Sequence, residues 1–201
     1  MKKNCISWMF AVLMLAIGMS SCSSDDEEPF VQQAFVSKAA YSIGYSLKNE
    51  LGFTTSTFKE GENIIFDVTI NNNTGYRLQL GEERMILQSA TSIYRSDGEF
   101  VDNPYNGISM TYEYRAMTIE PNGSMHWSSP WIFNESYLRS LGVEQPELVL
   151  NKIPLKRPLL KGTYYSLFKT RVSYRIVNDP APGGGTKGID EIELKIPFTV
   201  K

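Results

Sequence analysis

Ile64, Phe66, Val68 and Ile70 fall on every second position, alternating with Asn63, Ile65, Asp67 and Thr69. A period of two places the four large apolar side chains on one face of an extended strand, whereas a helix would scatter them around its circumference. A sheet with one apolar face has to bury it against a second layer, so this stretch favours a layered β-fold. The same alternation returns near the C-terminus, where Ile192, Leu194, Ile196 and Phe198 occupy every second place of the run from Glu191 to Val200.

Between these runs the chain reads as short strands separated by turn chemistry. Ala40 to Leu47, Tyr76 to Leu80, one or two segments within Met85 to Tyr94, Ser109 to Ile119, Met125 to Ser129 and Gly162 to Val177 are strand-like. Phe58 to Gly61, Asn71 to Gly75, Ser96 to Gly98 and Glu120 to Gly123 are rich in Asn, Asp and Gly, which tolerate the backbone of tight turns. Asn134 to Leu141 is the one helix expected, opening on an Asn cap and closing at Gly142. The 12% aromatic content supports strands over helices. The expectation is an all-β sandwich of about seven to nine strands with one short helix. Asn178 to Gly188, with its prolines and glycines, is expected to be a mobile connection between the last two strands.

The N-terminus sets location. Lys2 and Lys3 precede an almost wholly apolar segment from Ile6 to Met19, 14 residues long, then Ser20, Ser21 and Cys22. That length is short for a bilayer span and right for a signal-peptide core. The arrangement resembles a bacterial lipoprotein signal, with Met19 where leucine is common. The resemblance implies cleavage before Cys22, which then carries thioether-linked diacylglycerol and an amide-linked acyl chain of the palmitate class. A plain secretory signal or an uncleaved anchor are the alternatives. Several acyl chains matter because one chain holds a protein to a membrane only marginally.

Ser23, Ser24, Asp25, Asp26, Glu27 and Glu28 follow directly and are too charged to pack, so they read as a solvated tether. The run is also similar to the export tag of Bacteroidetes lipoproteins displayed outside the outer membrane, which implies surface display; anchoring toward the periplasm is the alternative. The chain thus divides into a signal at 1–21, an acidic flexible tether at 22–38 and a β-domain at 39–201.

Two further resemblances concern that domain. Leu160-Lys-Gly-Thr-Tyr164 looks like the tyrosine corner of immunoglobulin-like sandwiches, implying that the Tyr164 hydroxyl bonds backbone across the corner; an ordinary exposed strand tyrosine is the alternative. The order Phe58-x-x-Gly61, an alternating strand ending at Asn73, then a Gly-x-Tyr strand is similar to immunoglobulin-like domains of the intracellular proteinase-inhibitor type and to many Bacteroidetes lipoproteins. The resemblance implies a fold and carries no inhibitory residue.

Chemistry is sparse. Cys5 and Cys22 are the only cysteines, so the domain has no disulfide, thiol nucleophile or cysteine metal site. His126 is the only histidine, and no G-x-S-x-G elbow accompanies it. Gly183 to Gly188 has Thr186 before Lys187, the reverse of a phosphate loop. Asp97, Glu99 and Asp102 could offer oxygens to calcium but lack the calcium-loop order, and turn chemistry explains them equally. A glycosidase pair of carboxylates is not singled out. No cofactor is implied, and a net charge of −2 argues against nucleic acid.

Two patches suggest binding. Trp127 and Trp131 bracket Pro130, either as a platform that stacks on sugar rings or as core. Lys152, Lys156, Arg157 and Lys161, with Pro154 and Pro158, form a basic strip, either a contact for an acidic partner or a solvated edge guarded against strand pairing. The expectation is a lipid-anchored, non-catalytic binding module for a protein or glycan, its alternatives a glycosidase, a structural envelope component or a proteinase inhibitor.

Overall fold

A computed structural model describes residues 33–81, 90–104, 117–140, 142–154, 156–178, 180 and 186–201. The signal, Cys22 and the Ser23 to Glu28 run lie outside the described residues.

The chain folds as an all-β sandwich. One sheet joins β1 (Gln33–Ser37), β2 (Tyr41–Lys48), β4 (Ile65–Asn72) and β9 (Ser124–Pro130) in that order, every pair antiparallel. The other is built on two long antiparallel strands, β10 (Gly162–Val177) and β11 (Lys187–Val200). β3 (Thr57–Phe58) adds to β11 in parallel. The far edge of β10 is shared: β6 (Thr91–Arg95) pairs with its first part and carries β7 (Phe100–Asp102), while β5 (Arg77–Leu80) pairs with its last part and carries β8 (Met117–Ile119).

The alternation in the sequence does what a period of two requires. Ile64, Phe66, Val68 and Ile70 from one sheet meet Ile192, Leu194, Ile196 and Phe198 from the other in a continuous core. Phe198 lies edge-on to Phe58 at 5.8 Å and stacks on Tyr164 at 5.5 Å.

Several expectations are corrected. β1 begins at Gln33, inside the span read as tether, because Ala34 and Val36 turn inward against the core in a run too short to announce itself. Of the turn expected from Phe58 to Gly61, Phe58 belongs instead to a strand with Thr57, since it is fully buried beside Phe198, and the turn follows, closed by the Glu62 N–H on the Lys59 carbonyl at 3.0 Å. β1, β3 and β7 take the described strands to eleven. A second helix, α2 (Pro146–Leu150), follows α1 (Glu135–Ser140); it is five residues long and opens on Pro146, too short for helical periodicity to show. Lys187 and Gly188 belong to β11 and not to the connection, of which 179 and 181–185 lie outside the described residues. Of the other strand expectations, 82–89 and 105–116 also lie outside them.

Buried polar groups fix how the sheets sit on each other. Asn72 closes β4 at the point where the chain crosses from one sheet to the other. Its side-chain amide donates to the carbonyls of Tyr76 (2.7 Å), Ile119 (3.1 Å) and Glu120 (3.0 Å). Its oxygen accepts from the backbone N–H and hydroxyl of Thr74. One side chain therefore ties the β4–β5 crossing to the β8–β9 crossing.

Tyr45 reaches across the core to the Ser166 hydroxyl, and Tyr41 donates to Asp190 at 2.8 Å. Burial pushes both phenols well above their ordinary value; the Asp190 carboxylate pushes Tyr41 further, while hydrogen bonds to Ser166 and Thr91 partly offset the rise at Tyr45. The folded chain holds these protons where the unfolded chain releases them, near pH ~10. Stability is therefore fully present below about pH 10 and falls as the pH rises above it. Urea midpoints measured across that range should drop, and Tyr45→Phe should flatten the slope by up to ~1.4 kcal/mol per pH unit. An unchanged slope would show that this phenol ionises freely in the folded state.

Candidate functional site

The site lies at one end of the sandwich. Beyond Pro130 the β4–β9 ladder continues for two more residues. Trp131 N–H donates to the Ile64 carbonyl, and Ile132 is held through both backbone groups by the amide of Asn63. Asn63 is buried and does the work of a strand neighbour, fixing Trp131 as the chain turns away from the sheet.

Trp131 is 3% exposed, and its indole N–H donates to the Arg157 carbonyl at 2.9 Å. Trp127 faces the core side of β9, opposite Val68, and is partly buried there. The two rings do not form one exposed platform, because the chain leaves the sheet between them and Trp131 is spent on packing.

The basic strip is corrected in part. Residues 151–161 include no strand among the described residues, so the solvated-edge reading fails. Lys156 is drawn in, its side chain only 7% exposed. Its ammonium sits 4.7 Å from the centre of the Trp131 ring and donates to Asp102 Oδ2 and the Asn103 carbonyl. Arg157 and Lys152 remain on the surface, and Lys161 reaches toward Glu60. Arg157 has no ion-pair partner among the described residues.

Around Lys156 lies a cleft of about 520 Å³, walled by Val101, Pro154, Pro158, Leu159 and Leu160 and floored by Trp131 and Tyr164. That volume is within the range of about 300–1,000 Å³ typical of small-molecule sites. Tyr164 donates to the Leu160 carbonyl at 2.8 Å, four residues upstream, which fixes the cleft's lower wall. Gly162 allows the bend, with φ of 158°; a Cβ there would lie 3.3 Å from the Tyr164 ring. Arg95 and Arg157 stand at the mouth. Arg95 is half exposed, paired with Glu99 at 3.0 Å and 6.0 Å from the Tyr164 ring centre. With Lys156 paired to Asp102 and Arg95 to Glu99, Arg157 is left as the cation at the mouth over apolar walls.

The three carboxylates weighed for calcium are committed elsewhere. Asp97 accepts the Glu99 N–H, Glu99 pairs with Arg95, and Asp102 meets Lys156. Among the described residues no cluster of acids, histidines or cysteines could hold a metal. His126 lies on the open outer face of β9, its Nε2 2.6 Å from Asp67, which also pairs with Lys48 at 2.9 Å. This triplet joins three strands across a sheet face.

Asn63 and the Asp102–Lys156 pair were not signalled by the sequence; the pair is separated by 54 positions, with no local pattern to connect them. No family model and no curated protein sequence matches the chain. Among solved structures, the C-terminal domain of wzt is similar over 84% of this chain and 78% of its own, at 9% identity and a TM-score of 0.37. The Bacillus subtilis protein ycdA, described as a candidate lipoprotein, is similar over 79% of this chain at 11% identity and a TM-score of 0.27. This chain spans 38% of the length of ycdA. Among the described residues no helix is long and apolar enough to cross a membrane.

Proposed function

We propose that the chain is a lipid-anchored protein of the outer cell envelope, held by Cys22 and directed outward by its acidic run, whose sandwich is a non-catalytic binding module with the Trp131 cleft as its ligand site. The β-domain is of the immunoglobulin-like type. Support for that comes from the parallel pairing of β3 with β11, the paired long strands, and the Tyr164 to Leu160 bond at the start of β10.

The observation that carries the binding role is the cleft itself: apolar walls under two surface arginines, with one carboxylate that is already engaged. Carboxylate hydrolysis of a glycoside needs two acids facing each other across the substrate, and among the described residues that line the cleft Asp102 is the one acid. Its chemistry suits a ligand with a flat or ring-shaped apolar body and an anionic group, which an arginine grips through two parallel bonds. An acidic saccharide of the envelope combines both.

Metabolic labelling with an alkynyl fatty acid should mark the wild-type chain and not Cys22→Ala. A saccharide array probed with the purified full chain should favour uronate-bearing or phosphorylated sugars over neutral ones. Arg157→Ala, which removes an exposed side chain, should weaken that binding at least tenfold, about 1.4 kcal/mol, without lowering stability. Equal binding of neutral and acidic sugars, or an unchanged affinity in Arg157→Ala, would refute the site.

A further inference from the structure

The loop after β2 displays two large apolar side chains that lie outside the core formed by the described residues. Leu51 is 78% exposed and Phe53 66% exposed. The loop that carries them is built with care. Asn49 Oδ1 accepts from the N–H groups of Leu51 (3.1 Å) and Phe53 (2.9 Å), while the Asn49 backbone exchanges bonds with Gly52 and Phe53. Gly52 takes φ of 82°, which lets the loop close. An ordered turn thus holds both side chains away from the core.

The place of this loop suggests what covers it. β1 starts at Gln33, opposite Ser46, and runs away from the end at which β2 finishes. Leu51 and Phe53 lie just beyond that end, since Lys48 bridges to Thr54 and Thr55 bonds Leu47. The next links are Thr57 to Thr199 and Val200 to Gly162, so Leu160, 65% exposed, marks the same end. The chain from Cys22 therefore arrives where these apolar side chains stand. From Cys22 to Gln33 is eleven residues, which even fully extended span only about 40 Å.

We infer that this end of the sandwich lies against the lipid surface that carries the anchor, with Leu51 and Phe53 seated in the interfacial region of the bilayer. This rests on the acylation of Cys22 proposed above. Large apolar side chains at an interface add area to that of the acyl chains, and they do so in a fixed orientation. The Trp131 cleft opens at the same end, because Trp131 follows the Ile65 to Pro130 pair and Ile65 faces Lys48. Its ligand would then be an acidic saccharide borne by the same membrane.

The test uses the full chain purified from its envelope and reconstituted in vesicles of phosphatidylethanolamine and phosphatidylglycerol. Cys22 is the only cysteine after the signal, so a cysteine introduced elsewhere takes a thiol-reactive, polarity-sensitive fluorophore uniquely. Leu51→Cys probes the loop. Gly75→Cys probes the opposite end, in a turn where an added Cβ meets nothing within 4 Å. Flotation with the vesicles reads the anchor, while emission wavelength and quenching by spin-labelled lipid read the contact. The Leu51 probe should be blue-shifted and quenched, the Gly75 probe neither, and Phe53→Ser should reduce the signal at Leu51 without altering flotation. A chain that floats with both probes equally wet overturns this inference alone, and one with both probes equally dry overturns the orientation. A chain that fails to float overturns the anchor and this inference with it.

Discussion

Asn72→Asp should destabilise the fold more than Asn72→Ala, although aspartate is the closer match in shape. The Asn72 amide faces three carbonyl oxygens, those of Tyr76, Ile119 and Glu120, and its oxygen faces two donors on Thr74. Alanine removes every one of these bonds in a site that is 3% exposed, leaving polar groups with reduced access to water, at a cost of about 3 kcal/mol. Aspartate keeps the acceptor but turns a second anionic oxygen toward the three carbonyls, so about 4 kcal/mol or more is expected at neutral pH. The sign of the pH dependence separates the two variants. The introduced carboxyl is held above its unfolded value, so the folded state binds the extra proton and the deficit shrinks as the pH falls toward ~4. The alanine deficit has no such dependence. Chemical unfolding of both variants at neutral and acid pH is the measurement, and an aspartate variant as stable as wild type would show that the amide does not carry the two crossings.

The same residue shows what the sequence could and could not disclose. Of the turn expected from Asn71 to Gly75, the part after Asn72 leaves the sheet as Asn and Gly advertise, whereas Asn71 and Asn72 still belong to β4. Nothing local says that Asn72 also faces Ile119 and Glu120, more than forty positions away. Strands were legible wherever one face is buried and the other is not, as from Ile64 to Ile70 and from Ile192 to Phe198. Thr57–Phe58 and Phe100–Asp102 are too short for a period of two to be visible; the first is positioned by β11, far along the chain, and the second returns along β6 after the Ser96 to Gly98 turn.

The candidate site was legible as pieces. Trp131, Asp102, Tyr164 and the pair Lys156 and Arg157 stand out in the sequence under four unrelated readings, and the fold brings all five residues to one cleft. The two tryptophans illustrate the reason. Trp127 and Trp131 share the parity of one strand face, but β9 ends between them at Pro130, and only the Asn63 bonds to Ile132 determine where Trp131 goes. Likewise the basic strip separates into one inward lysine and three outward cations because Asp102, 54 positions upstream, comes within reach of Lys156. Periodicity reports which face a residue occupies; it does not report which distant segment will meet it.

That lysine makes the second large effect. Lys156 joins three otherwise independent parts of the cleft: the β6–β7 hairpin through Asp102, the end of β9 through the Trp131 ring, and its own segment. Asp102→Asn leaves an ammonium that is 7% exposed facing a neutral amide, and should cost about 3 kcal/mol. Lys156→Met keeps the apolar stem over Trp131 and leaves Asp102, which is 27% exposed and so partly hydrated, at a smaller cost of about 2 kcal/mol. Combining the two replaces a buried ion pair by an apolar side chain and an amide, and should cost only about 1 kcal/mol, so that most of the summed loss returns as a coupling of about 4 kcal/mol in a double-mutant cycle. Additive effects, within about 0.5 kcal/mol, would show that the two side chains do not act as a pair. Binding should follow the same cycle. Each single substitution loosens the cleft and weakens the acidic saccharide, while the double variant binds nearly as wild type, because Arg157 and not Lys156 meets the ligand's charge. A double variant that folds well yet no longer binds would instead make Lys156 the ligand's own contact.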